Sequence, residues 1–328
     1  MLLKTLKSNS LGNLIFIPFA VLAFWFEKFL SPYNYGFMPG EADNVLFAPI
    51  FRLTEQSPLL NVVLSAVLTM VLALLVEMII ARYQFIRIRT RLPAILFIII
   101  VGGFTGLHTL LPVYFAAIFL LVAIFRLFGI FEQSKAYTIA FDVGVLLGVG
   151  SLFYFNMVVF LPAFIVGLLV LNRDTRWREI VLIIIGFLLP LIFAGSYFFF
   201  TGRLISLLQI FQQSIMEPVN HFRTNIPLQV YLGVLVVFTV LGSIVMAQQY
   251  DTKKVSSRKY FTVFFFVFVF SLGGFVLIPA ASHEMLILTA IPVTYLISNF
   301  LVFMKSRFWS EFFFLLLLGI VIALQIFG

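Results

Sequence analysis

The chain has 328 residues, of which 62% are hydrophobic and only 10% charged. A soluble domain needs about a quarter of its positions charged, so this composition excludes a soluble enzyme. It dictates a polytopic membrane protein, and the continuous apolar runs exclude a β-barrel, whose strands alternate residue by residue. With no cysteine and three histidines, disulfides, thiolate nucleophiles, iron–sulfur clusters and a four-histidine iron centre are excluded as well.

In chain order, the first apolar run covers 14–25 and follows Lys4 and Lys7. It resembles a signal sequence, but Phe24, Trp25 and Phe26 stand where cleavage needs small residues, so it is read as an uncleaved first span. Further runs long enough to cross a bilayer lie at 59–80, 92–110, 111–131, 137–152, 153–171, 180–200, 226–246, 260–279, 285–304 and 312–327. The fold class expected is therefore all-α: a single transmembrane domain over 1–328, with about eleven transmembrane helices. All but four of the 21 Lys and Arg residues fall on one side if the N-terminus is cytoplasmic, the exceptions being Lys28, Arg52, Arg203 and Arg223. The positive-inside rule then fixes the N-terminus as cytoplasmic and the C-terminus as outside, in a multi-pass inner (plasma) membrane protein. The net charge of +8 reads as topology and lipid anchoring. No basic groove interleaved with aromatics points to nucleic acid.

The outer side holds the two longest stretches between spans, loop 31–58 and segment 201–225, together with all three histidines, His108, His221 and His283. The histidines, the side chains that titrate nearest neutral pH, are thus gathered at one water boundary. In the first loop, Glu41 and Asp43 follow a Pro39-Gly40 turn. Two carboxylates so spaced can serve as a general base and as ligands of a divalent cation, the only cofactor the sequence suggests; equally, Asp43 or Asn44 can cap a short interfacial helix. From Arg203 to Glu217 the spacing is helical: Leu204, Leu207, Leu208, Phe211 and Ile215 share one face, and Ser206, Gln209, Gln213 and Glu217 another. That pattern predicts an interfacial helix. Arg203 and Arg223 suit a phosphate, or snorkel like ordinary interfacial arginines. His283 and Glu284 open a span that Pro292 should kink.

Within the spans, Glu77 lies one turn before Arg82, and Asp142 can pair with Lys135 or Arg126. No span carries the central charged series of an ion-coupled pump. No P-loop, dinucleotide fingerprint, HExxH or GxSxG is present.

This layout resembles the GT-C superfamily of polyprenyl-phosphate-sugar glycosyltransferases. The resemblance rests on the acidic first outer loop, on the segments Leu161-Pro-Ala-Phe164, Arg176-Trp-Arg-Glu-Ile180 and Gly186-Phe-Leu-Leu-Pro190, and on the late run from His283 to Pro292. The sequence departs from the family pattern in spacing its acids as Glu41-x-Asp43, in using a histidine as the late basic residue, and in lacking a soluble outer domain. The resemblance implies a glycosyltransferase with a polyprenyl-phosphate-sugar donor at the outer face, in which Asp43 or Glu41 is the base or metal ligand. Arg203, Arg223 and His283, with Glu284, His221 and His108 nearby, would then bind the lipid phosphate and substrate. The Phe- and Ile-rich style also resembles a family of integral-membrane proteins of Bacteroidota, which implies no activity. Two other readings stand beside the enzyme: a non-enzymatic subunit of a cell-envelope assembly with membrane protein partners, and a lipid or solute transporter.

Overall fold

The computed structural model describes residues 12–33, 36–37, 42–86, 90–133, 136–172, 177–216, 225–248, 254–304 and 306–327. Among them there are helices and no strands. The chain runs α1 (Gly12–Leu30), a short α2 (Ala48–Thr54), α3 (Pro58–Tyr83), α4 (Leu92–Gly102), α5 (Pro112–Phe128), α6 (Tyr137–Phe153), α7 (Phe160–Leu171), α8 (Trp177–Phe200), α9 (Leu204–Met216), α10 (Ile226–Gln248), α11 (Val255–Leu277), α12 (Met285–Phe303) and α13 (Arg307–Phe327). Short 3-10 turns at Thr105–Leu107, Gly129–Glu132 and Phe155–Val159 join neighbours. Proline sits in the first turn of α2, α3, α4 and α5, where its missing N–H has no intrahelical partner to lose.

Among the described residues, seven helices are long and apolar enough to cross a membrane: α3, α5 with its 3-10 extension, α8, α10, α11, α12 and α13. α4, α6, the 155–171 segment and α9 are shorter apolar helices. The protein is thus an all-helical, polytopic membrane-type bundle. α12 lies at its centre, every side chain from Met285 to Leu301 being buried, as expected of a helix apolar all round. α4 is buried along its whole length. α8 and α13 lie outermost, with most of their surface uncovered and suited to lipid.

The tightest seam joins α6 to α8. A Cβ on Gly144 would overlap the Ile183 carbonyl oxygen, one on Gly148 the Phe187 carbonyl oxygen, and one on Gly186 the Phe141 carbonyl oxygen. Small residues four apart let helix backbones touch, which is how helices associate without a hydrophobic driving force in lipid.

Two ends of the bundle differ in chemistry. At the arginine end, the Tyr83 ring meets Phe125, Phe128 and Tyr260 edge-on, gathering the last turns of α3 and α5 beside the first turns of α11. At the histidine end, a strap formed by residues 42–54 crosses the ends of α5 and α6: Leu46 N–H donates to Leu152 O at 3.2 Å, and Phe47 lies 6.0 Å from Phe37 and 6.3 Å from Phe115. The run expected as a span over 92–110 is helical only to Gly102. The Gly102-Gly103 pair ends α4, and Phe104 is extended. The chain turns inside the bundle and restarts at Pro112.

Candidate functional site

The histidine end is one packed layer. From the strap, Leu46 bonds to the end of α6. Phe155, in the turn after α6, stacks on Phe211 of α9 with ring centres 4.5 Å apart. Ile215 of α9 accepts from Ala280 N–H at 3.4 Å, and the 278–284 loop leads to His283, Glu284 and the first turn of α12.

Asp43 lies exposed in the strap, and Asn44 beside it is buried. The N-cap of α2 is Phe47, without a side-chain bond, and the Asn44 backbone carbonyl takes the N–H groups of Phe47 and Ala48. Arg203 is exposed and follows Gly202, whose φ of +69° closes α8. Gly202 N–H bonds to Phe199 O and Arg203 N–H to Phe198 O, the paired geometry of a glycine-terminated helix. α9 forms where the apolar spacing predicts it. Leu207 is buried and Phe211 stacked, while Ile205, Leu208 and Met216 remain exposed, an arrangement suited to a helix lying at a lipid boundary.

His283 is partly exposed, its ring 5.2 Å from Phe104. A Cβ on Gly106 would stand 3.0 Å from His283 Nε2, so glycine there leaves room for the imidazole. Glu284 is fully buried at the N-cap of α12, where the helix dipole favours a carboxylate. The turn 103–111 and the α12 entrance therefore meet through His283.

His108 sits in that same turn at 2% exposure. Its ring stacks on Trp25 at 4.0 Å, and Nε2 lies 3.1 Å from Gly102 O. Burial pushes its pKa down to about 3, the bond to Gly102 opposing and the Lys28 charge adding to the shift. The imidazole is neutral at pH 7 and caps the end of α4. Glu41, His221, Arg223 and Glu217 lie outside the described residues. Among the described residues no group of three His, Asp or Glu side chains could hold a metal ion.

Sequence reasoning missed the polar network around the 103–111 turn. Trp25 Nε1 donates to Ser65 Oγ at 2.9 Å, and Thr69 Oγ1 reaches both Ser65 O and the Tyr114 hydroxyl. Tyr114 donates to Leu107 O, Tyr231 to Ile100 O at 2.9 Å, and Gln325 Nε2 to Gly102 O at 2.8 Å. A helix end buried in a bundle must find such partners for its last carbonyls. The available signal was Ser65 and Thr69 at i, i+4 spacing, with tyrosines, within apolar runs.

Both ion pairs between described residues lie on the arginine side: Arg126 Nη2 to Asp142 Oδ2 at 2.8 Å, and Arg91 Nε to Glu77 Oε1 at 3.8 Å. The first is one of the two pairings the sequence allowed for Asp142.

The family of unknown function DUF6427 matches residues 44–328, and the chain belongs to that family. No curated protein and no solved structure matches it.

Proposed function

We propose that the protein is a GT-C-like glycosyltransferase working at the histidine end on a polyprenyl-phosphate-sugar donor. The reading is supported by the run of contacts at that end, from the strap that carries Asp43 to the end of α6, from the turn after α6 to α9, which follows Arg203, and from α9 to the loop that carries His283 and Glu284. α9 is an amphipathic helix with apolar side chains left exposed. In this reading the seven long helices, α1 and the shorter crossings α4, α6 and 155–171 make eleven spans. The arginine end faces the cytoplasm, and the histidine end and C-terminus face outward.

Asp43, open to solvent, takes the proton of the acceptor hydroxyl as its oxygen bonds to the anomeric carbon. The bond from that carbon to the phosphate oxygen breaks, and the polyprenyl phosphate leaves with the electron pair. Arg203 and His283 stabilise the charge that develops there. α9 guides the lipid chain to the strap.

Native mass spectrometry of the protein in mild detergent tests the reading. A polyprenyl phosphate or its sugar conjugate should co-purify with the wild type and be lost from an Arg203→Ala, His283→Ala variant. Transfer should fall by more than a hundredfold in Asp43→Asn while the protein stays folded in the membrane. Bulk phospholipid alone, equal in both samples, would remove the proposal in favour of a non-enzymatic envelope subunit.

A further inference from the structure

The arginine end carries a feature that the proposed transfer does not use. The last turns of α3 and α5 and the 3-10 turn after α5 enclose a half-open cavity of about 470 Å³, lined among others by Arg82, Tyr83, Arg126, Gly129 and Gln133. Its wall is fixed. The Tyr83 hydroxyl donates to Phe125 O at 2.7 Å, and its ring is held by Phe125, Phe128 and Tyr260. The Arg126 charge is balanced by Asp142 at 2.8 Å. Arg82 has no ion-pair partner among the described residues, so the described lining carries one excess positive charge. Gln133 adds an amide that can donate. The volume is that of a small-molecule site, and the mouth lies where spanning helices end, at the depth of lipid headgroups.

We propose that this cavity binds a phosphate group, and that its occupant is the headgroup of an anionic phospholipid. A guanidinium fork matches phosphate oxygens in geometry and charge, and basic pockets between transmembrane helices recruit anionic headgroups. Free inorganic phosphate presents the same oxygens, so source and chemistry are tested separately. The site lies a full helix length from the histidine end, since α3 with 26 residues spans about 39 Å.

The test uses the full chain in a neutral maltoside detergent and reads the saturable rise of its unfolding midpoint. The probes are dihexanoyl phosphatidylglycerol, dihexanoyl phosphatidylcholine and inorganic phosphate. Phosphatidylglycerol should bind, and phosphatidylcholine should not. Arg82→Gln should weaken binding about tenfold, equivalent to about 1.4 kcal/mol. Gly129→Leu should do the same by filling the cavity, because a Cβ there meets only the Tyr83 hydroxyl at 3.8 Å and Ile139 at 4.0 Å. Arg307→Gln, an exposed charge outside the cavity wall, should stay within twofold of wild type. Midpoints without ligand establish that each variant is folded. Phosphate weaker than phosphatidylglycerol supports the lipid, whereas phosphate equal to it keeps the site and overturns the lipid as occupant. Equal binding of phosphatidylcholine, equal losses in Arg82→Gln and Arg307→Gln, or no saturable shift with any probe overturns the site.

Discussion

Replacing Gly186 by alanine tests the α6–α8 seam directly. The added Cβ would overlap the Phe141 carbonyl oxygen and stand 3.1 Å from Val145 N and 3.2 Å from Gly144 Cα. All three are backbone atoms, so no side chain can rotate away and the helices must part by about 1 Å. A gap of that size forfeits a quarter to a half of the dispersion energy along the contact, and overpacking of this kind costs about 1–3 kcal/mol. A loss of about 3 kcal/mol is expected, because Gly144 and Gly148 share the same seam. Gly195→Ala on the same helix is the control. Nothing lies within 4 Å of its Cβ position, and alanine there should gain about 0.5–1 kcal/mol of helix propensity. The folded fraction is followed by titrating sodium dodecyl sulfate into maltoside-solubilised protein. Equal midpoints for the two variants would refute the close-contact account. The proposed transfer should fall in Gly186→Ala as well, since α8 leads into α9, whose Phe211 stacks on Phe155 in the turn after α6.

Three further outcomes follow from buried polar groups. His108 has a folded pKa of about 3 against an ordinary 6.5, so the unfolded chain binds its proton first as pH falls. Stability contributed by the neutral ring is complete above pH 6.5 and shrinks below it, by about 2 kcal/mol at pH 5; unfolding midpoints at pH 7 and 5 should show that loss in wild type and not in His108→Gln. Arg91 and Glu77 are largely buried, with side-chain exposures of 13% and 22%. Arg91→Met alone should therefore cost about 3 kcal/mol by stranding a carboxylate, while the Arg91→Met, Glu77→Gln pair should recover most of it in the same detergent titration. Gln325 and His108 both serve Gly102 O, so a double-mutant cycle with Gln325→Leu and His108→Phe should show a coupling of about 1 kcal/mol, against zero for independent sites.

The elements that hydropathy and spacing made legible are those with one lipid or water face. α9 lies at Leu204–Met216 because its apolar residues recur on one side, and Arg126 meets Asp142 as charges near adjacent helix ends do. What stayed hidden was a turn inside the bundle. Residues 103–111 are almost as apolar as a span, so no hydropathy window separates a buried reversal from a continuing helix; only the glycine pair and Pro112 mark it. The glycines of the α6–α8 seam were visible, but a sequence does not say which helix fills the groove they leave. Glu77 shows the same limit at the level of one contact. Arg82 lies five residues beyond it, about 500° around the helix and therefore on another face. Gln84, with φ of 49°, then sends the chain back into the bundle. Phe85 and Ile86 become buried, and Arg91 arrives beside Glu77 instead. That exchange of partners leaves Arg82 on the cavity wall with no ion-pair partner among the described residues, and so at the centre of the proposed phosphate site.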